Sequence, residues 1–309
     1  MWDNKTVEWV DVELTSFCNI KCPGCLRQIK QNKVSNILNK DILKFEDLKK
    51  WITLDELPNL KLLNFCGSID EPTLHPEILD IVNHFNQICE INIASNGSTK
   101  TTNFWEELGS LGISVFFGID GIDQQSLERY RVGSNYKKIE KNFKSFIKAG
   151  GQATWQFIVF DHNEKYLEDA KRISTEEGFK NFRTIYSHRV GNNESKTKQR
   201  KEEKYISCKY GNQKRIFLNH TGALIPCCFL NSESLELHSS KNVKSSFGQK
   251  YIEFGEILSN NLKYNSISEV LDGQLFDFVQ KSWNTVPVEK CWQTCKKEKR
   301  DIFIDEELK

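Results

Sequence analysis

From residue 7 to about residue 190, short apolar runs alternate with longer stretches whose apolar side chains recur every three or four positions. The short runs cover residues 7–14, 60–65, 90–94, 113–119, 154–160 and 182–186, and they read as strands. Between them, Phe45, Leu48, Trp51 and Ile52 make one helical stripe. Tyr136, Ile139, Phe143, Phe146 and Ile147 make another, stopped by Gly150-Gly151. Such stripes are the faces of helices packed on a sheet. Six strands alternating with helices imply a parallel sheet with right-handed crossovers. Six units, two short of the closed eightfold form, point to an incomplete barrel with its functional groups at the C-terminal ends of the strands.

The pattern changes after residue 192. A polar stretch runs from 193 to 204, and a hairpin follows, with residues 215–218 and 223–225 flanking Asn219-His220-Thr221-Gly222. Residues 231–248, rich in Ser and Lys, read as a loop. Residues 266–283 read as one helix with Ile267, Val270, Leu271, Leu275, Phe278 and Val279 as its apolar stripe. The expected division is therefore 1–192 and 193–309, without internal repeats.

Composition narrows the picture only modestly. The 309 residues carry 43 Lys and Arg against 42 Asp and Glu, so no net polycation argues for nucleic acid as a partner. The Lys196–Lys201 basic stretch is diluted at once by Glu202 and Glu203 and reads as a solvated linker. No apolar run approaches a membrane span and no secretory signal core opens the chain, which leads to the expectation of a cytoplasmic protein. In a reducing compartment the ten cysteines are metal ligands or buried thiols rather than disulfides.

Cys18, Cys22 and Cys25 stand as C-x3-C-x2-C directly after the first predicted strand. Three thiolates on one loop can hold three irons of a four-iron cluster and leave the fourth iron open to a small molecule. Structural zinc normally wants a fourth protein ligand, and the nearest further cysteine is Cys66. The spacing and position resemble the radical S-adenosylmethionine (SAM) superfamily, whose cluster binds and reductively cleaves SAM to a 5′-deoxyadenosyl radical. That resemblance implies a partial (β/α)6 TIM-like barrel.

Further residues carry the resemblance. Cys66-Gly67-Ser68-Ile69-Asp70-Glu71-Pro72 resembles the Gly-Gly-Glu-Pro turn that meets the SAM amino group, with Ile69 and Asp70 in place of the glycines. Ser95-Asn96-Gly97 ends the third strand, and Asp120-Gly121 with Tyr130-Arg131 follows the fourth, as in SPASM/twitch radical SAM enzymes. By resemblance, Gly67, Asp70, Glu71, Ser95, Asn96, Asp120 and Arg131 are cofactor-binding. Arg131 offers a fork of donors to the SAM carboxylate, and Ser95 or Asn96 can bond ribose hydroxyls. The residue before the third cysteine, often an adenine-contacting aromatic in these enzymes, is Gly24; Phe157 or Ile185 is expected to serve instead.

Thirteen residues separate Cys208 from Gly222, and Gly222 to Cys227 is a G-x4-C. Cys291 and Cys295 follow far downstream. This resembles the shorter, twitch type of C-terminal α+β domain. The four thiolates of Cys208, Cys227, Cys291 and Cys295 suffice for one auxiliary 4Fe–4S cluster, with zinc as the competing occupant. Cys228 is expected to face away from Cys227's partners. Cys66 and Cys89 read as buried thiols.

The resemblance thus implies two 4Fe–4S clusters, SAM, and an external one-electron reductant of flavodoxin or ferredoxin type. The expected activity is hydrogen abstraction from a peptide or protein side chain, or from a small sugar- or nucleotide-derived metabolite. Only 17 residues precede Cys18, which lowers the expectation of a leader-binding domain and of a ribosomal-peptide maturase. Tyr186, His188 and Arg189, beyond the sixth strand, are the expected substrate contacts. The rival classes are a non-catalytic iron–sulfur carrier and a zinc-bearing binding module.

Overall fold

The computed structural model describes residues 2–29, 41–186, 206–237, 245–254 and 256–296. Six strands follow the predicted order: β1 (Trp9–Val12), β2 (Leu62–Phe65), β3 (Glu90–Ser95), β4 (Ser114–Gly118), β5 (Gln152–Ile158) and β6 (Asn181–Ile185). Two more, β7 (Arg215–Leu218) and β8 (Leu224–Ile225), form the expected hairpin. All eight belong to one sheet in the order β6-β5-β4-β3-β2-β1-β7-β8. Neighbours are parallel from β6 through β7, and only β7–β8 is antiparallel. The sheet is a partial TIM-like barrel of α/β class, and the C-terminal hairpin extends it beside β1.

Helices cover the outer face for local reasons. In Tyr136–Lys148, Asn135 accepts from the Lys138 amide at 2.9 Å and caps the start. Ile139, Phe143 and Phe146 turn inward onto the sheet, and Gly150, at φ 103°, ends the run in a conformation glycine adopts freely. Trp105, Phe117, Phe143, Phe146, Trp155 and Phe179 meet in a chain of edge-on and tilted ring contacts under this helix. Such aromatic burial is the largest single contribution to a core of this kind.

That packing sets the parity of every strand, because alternate residues face opposite sides. Val10, Val12, Leu63, Phe65, Ile91, Ile93, Phe117, Trp155 and Phe157 belong to the outer, helix-covered core. Asp11, Asn64, Asn92, Phe116, Gln156 and Arg183 therefore line the concave face. Phe157 stacks on Phe182 and is fully buried there, so it cannot meet a ligand in the barrel as expected. Ile185 has the inward parity.

Two C-terminal expectations are corrected. Residues 228–237 and 246–253 are helical rather than loop. Asn231 and Ser234 are buried there and find polar partners, which composition alone could not foresee. The single helix expected over 266–283 is two, Ile267–Leu271 and Gln274–Ser282, parted at Asp272-Gly273. Gly273 adopts an extended backbone (ψ 165°) and serves as the N-cap of the second helix.

Candidate active site and auxiliary cysteine pocket

The cysteine loop leaves the C-terminal end of β1, and the loops after β2, β3 and β4 hold it. Glu71 donates its amide to Phe17 O at 2.7 Å, and Lys21 donates to Val132 O at 2.8 Å. Asn96 Nδ2 donates to Asn19 Oδ1 at 2.8 Å and lies 3.9 Å from Cys18 Sγ. Asn19 Nδ2 reaches Ser98 Oγ at 2.9 Å. Cys18, Cys22 and Cys25 are all partly exposed. Burial pushes the Cys18 thiol up to about 12, and the charges of Glu71, Cys22 and Cys25 add to the shift. The three sulfurs thus feel one another across one short loop. Among the described residues no three His, Cys, Asp or Glu side chains close on a single ion. By donor chemistry, three thiols on one loop can serve three irons of a cluster, whereas structural zinc normally takes four protein ligands.

The turn after β2 needs one glycine only. Gly67 has φ 57°, and a Cβ there would stand 2.8 Å from Ala94 O. Ile69 and Asp70 keep ordinary φ, so the missing glycines exact no strain. The Glu71 carboxylate is buried and fully engaged. It accepts from Ser95 Oγ and the Asn96 amide, each at 2.7 Å, and from Thr73 Oγ1 at 2.7 Å. It ties the β2 and β3 ends together, and Ser95 spends its hydroxyl proton on it. Asp70 is held by the Thr15 amide at 3.3 Å, while its Oδ1 has no partner. Burial, then the Glu13 and Glu71 charges, hold its carboxyl well above the usual range.

Asp120, fully buried at the end of β4, accepts from Arg131 Nε at 2.7 Å and from the Ile158 amide at 2.7 Å. Burial raises the Asp120 carboxyl, and Arg131 opposes that shift. Arg131 lies flat over Gly118, where a Cβ would come within 2.5–2.7 Å of the guanidinium. Its charge also senses Cys22. Asp120 thus aims Arg131 toward the cysteine loop. At Gly24, a Cβ would meet the Tyr130 hydroxyl at 2.7 Å, and Tyr130 packs at a tilt on Phe160 with centroids 4.2 Å apart. Tyr186 packs partly buried against the core; His188 and Arg189 lie outside the described residues.

Cys208, Cys227, Cys291 and Cys295 line one pocket, part of it open to solvent, with Trp2, Phe229, Leu230, Val279 and Trp283 among its walls. Cys291 and Cys295 share a face of the helix Glu289–Cys295, since residues four apart lie over one another. Burial pushes the Cys291 thiol up to about 12, with Cys295 adding to it. Cys228 exerts its charge on neighbouring Cys227 and also on Cys66, Tyr210 and Arg215, on the barrel side.

Sequence reading missed the inner-face acids. Asp11 accepts from Asn64 Nδ2 at 2.6 Å, from Arg215 Nε at 2.7 Å and from the Tyr210 hydroxyl. Glu13 accepts from Ser68 Oγ and from Asn231 Nδ2 at 3.1 Å, with His220 Nδ1 3.6 Å away. The signal was present: Asp11 and Glu13 alternate with Val10 and Val12.

A parallel partial barrel with a three-cysteine loop at its C-terminal mouth defines a class of cluster-bearing enzyme folds. Residues 12–173 match the model of the Radical SAM superfamily, and the chain belongs to that superfamily. It is similar to a tungsten-containing aldehyde ferredoxin oxidoreductase cofactor-modifying protein of Pyrococcus furiosus, 30% identical over 175 residues. That match takes in 54% of this chain and 48% of the relative, so the chain spans about half the length of this curated relative. Among solved structures, SAM-bound SuiB of Streptococcus suis aligns over 83% of this chain and 71% of its own, with TM-score 0.59 and 12% identity. SAM-bound anSMEcpe aligns over 90% and 81%, with TM-score 0.60 and 14% identity. Both have also been solved with peptides bound.

Proposed function

We propose that this chain reductively cleaves SAM and abstracts hydrogen from a peptide or protein side chain, with a twitch-type auxiliary cluster assisting oxidation or crosslinking. The observation that carries the reading is the Cys18/Cys22/Cys25 loop at the barrel mouth, with Arg131 aimed at it. A 4Fe–4S cluster on those thiolates supplies, when bound, the electron that splits SAM into methionine and a 5′-deoxyadenosyl radical. Arg131, steadied by Asp120, would pair with the SAM carboxylate. Asp70, with one oxygen lacking a partner, would accept from the SAM ammonium. Glu71, Ser95 and Asn96 hold the turns on which SAM rests. The concave wall excludes water from the reacting carbon.

Residues 1–192 form the SAM-cleaving unit in this reading, and 193–309 carry the auxiliary cysteines. A second cluster on Cys208, Cys227, Cys291 and Cys295 would exchange an electron with the substrate. The reductant is a flavodoxin or ferredoxin, and the thiol set suits a reducing cytoplasm. The peptide assignment draws on the peptide complexes of SuiB and anSMEcpe. A second reading, a small cofactor or metabolite as substrate, is favoured by the name of the Pyrococcus relative.

Anaerobic purification with metal and sulfide counts tests the proposal. About eight irons per chain are expected for two 4Fe–4S clusters, together with 5′-deoxyadenosine on reduction with SAM. Zinc in place of iron would reject it.

A further inference from the structure

The concave face of the sheet is filled on one side and open on the other. Across β7, β1 and β2, Asp11, Glu13 and Asn64 are buried and bond one another, Arg215, Tyr210, Ser68 and Asn231. Across β4, β5 and β6, the inward side chains Phe116, Gln156, Ile158 and Ile185 are half-buried. Phe116, Ile158 and Ile185 do not pack against the outer core. Room for a ligand therefore lies over β4–β6. Gln156 is level with Gly118, the residue that Arg131 covers, one strand or about 5 Å away. Ile158 and Ile185 are register partners one step above it, and Phe116 stands one step below. Arg183 caps Phe116, with its guanidinium carbon 5.7 Å from the ring centre. Among the described residues, the side-chain amide of Gln156 has no hydrogen-bond partner.

We propose that this wall binds one residue of an extended peptide, with Gln156 pairing to its main chain and Ile158 and Ile185 taking an aliphatic side chain. In an extended chain the N–H and C=O of one residue point to the same edge, as in the close pairs of an antiparallel ladder. A glutamine amide carries an acceptor oxygen and two N–H donors on one planar group, so it can meet both at once. The two isoleucines lose exposed apolar area when an aliphatic group covers them, and that favours such a side chain over none. The residue so held lies beside the SAM that Arg131 would pair with. The inference rests on the reading of the barrel as a reaction chamber for peptides. It narrows the substrate to a chain with an aliphatic residue at this position.

Photolabelling tests it on the reconstituted, SAM-loaded protein. The probe is N-acetyl-photoleucine methylamide, a single blocked residue whose aliphatic side chain carries a diazirine, and the label is placed by peptide mass. Label should fall on β5 and β6, and excess N-acetyl-leucine methylamide should suppress it. The N-acetyl-glycine methylamide, which lacks the side chain, should compete poorly. So should N-acetyl-N-methyl-leucine methylamide, which lacks the N–H that Gln156 would accept. Gln156→Leu should weaken labelling about tenfold, and Gln87→Leu, on the outer surface, should not change it. Should Gln156→Leu fail to fold, the wild-type competition pattern decides. Label placed away from β5 and β6, equal competition by all three amides, or undiminished labelling in Gln156→Leu overturns the proposal. Formation of 5′-deoxyadenosine in the same preparation tests the chamber reading separately: product without label on this wall rejects the peptide subsite alone.

Discussion

The two cysteine sites of this chain are built on opposite plans. The N-terminal loop is partly exposed, has three thiols, and is held by polar contacts from the ends of β2, β3 and β4. The C-terminal pocket brings four thiols together among Trp2, Phe229, Leu230, Val279 and Trp283. Cys208, Cys227 and Cys291 are buried there. A site that must admit and release a cosubstrate keeps a vacant vertex and a hydrated, hydrogen-bonded rim. A site that only carries electrons or braces the fold can be walled mainly by apolar side chains. The physics separates a polar rim from an apolar pocket before any chemistry is assigned.

The comparison breaks most sharply at the cysteines. Cys22→Ala should abolish 5′-deoxyadenosine formation and leave about half the iron. Cys291→Ala should also lose about half the iron while retaining SAM cleavage, and Cys228→Ser should keep all of it. Parallel iron counts and product chromatography check the three together. Loss of 5′-deoxyadenosine formation in both alanine variants, or loss of nearly all iron in either, would show that the sites are not independent.

Next comes the buried ion pair. Asp120→Asn leaves Arg131 without its anion and should cost about 3–5 kcal/mol in chemical denaturation. SAM affinity, measured by calorimetry, should fall about tenfold or more with it. Arg131→Lys should restore little, because a point charge cannot replace the fork.

The smallest effect concerns Asp70. Its carboxyl is raised in the folded state, so the native chain binds more protons than the unfolded one between the ordinary aspartate value and the raised value. Stability conferred by the neutral acid is therefore lost as pH rises through that window. Asp70→Asn should flatten this dependence and stabilise the metal-free chain at neutral pH, read as a denaturant midpoint across pH. A midpoint equally pH-dependent in the variant would show that another group titrates.

Much of this was readable from the chain. The alternation of apolar runs announced all six barrel strands within a few residues, because a strand buried under helices must be apolar on at least one face. Gly67 and the cysteine spacings announced the turn after β2 and the two groupings of cysteines. The helix at 228–237 escaped, since beside Leu230 it buries Asn231 and Ser234, and Asn231 is satisfied by Glu13 and Asn219 from distant segments. Phe157 was expected in the barrel because apolar character does not tell which face of a strand a residue takes.

By itself, then, the order of residues determined the strand count, the parallel topology and which cysteines are close along the chain. Only the folded molecule decided that Glu71 is a tie rather than a free ligand, that Asp120 aims Arg131, and that four cysteines from three segments share one pocket. Those outcomes depend on contacts between residues as far apart as Glu13 and Asn231. Local propensity and spacing carry no information about such pairings until the sheet closes around them.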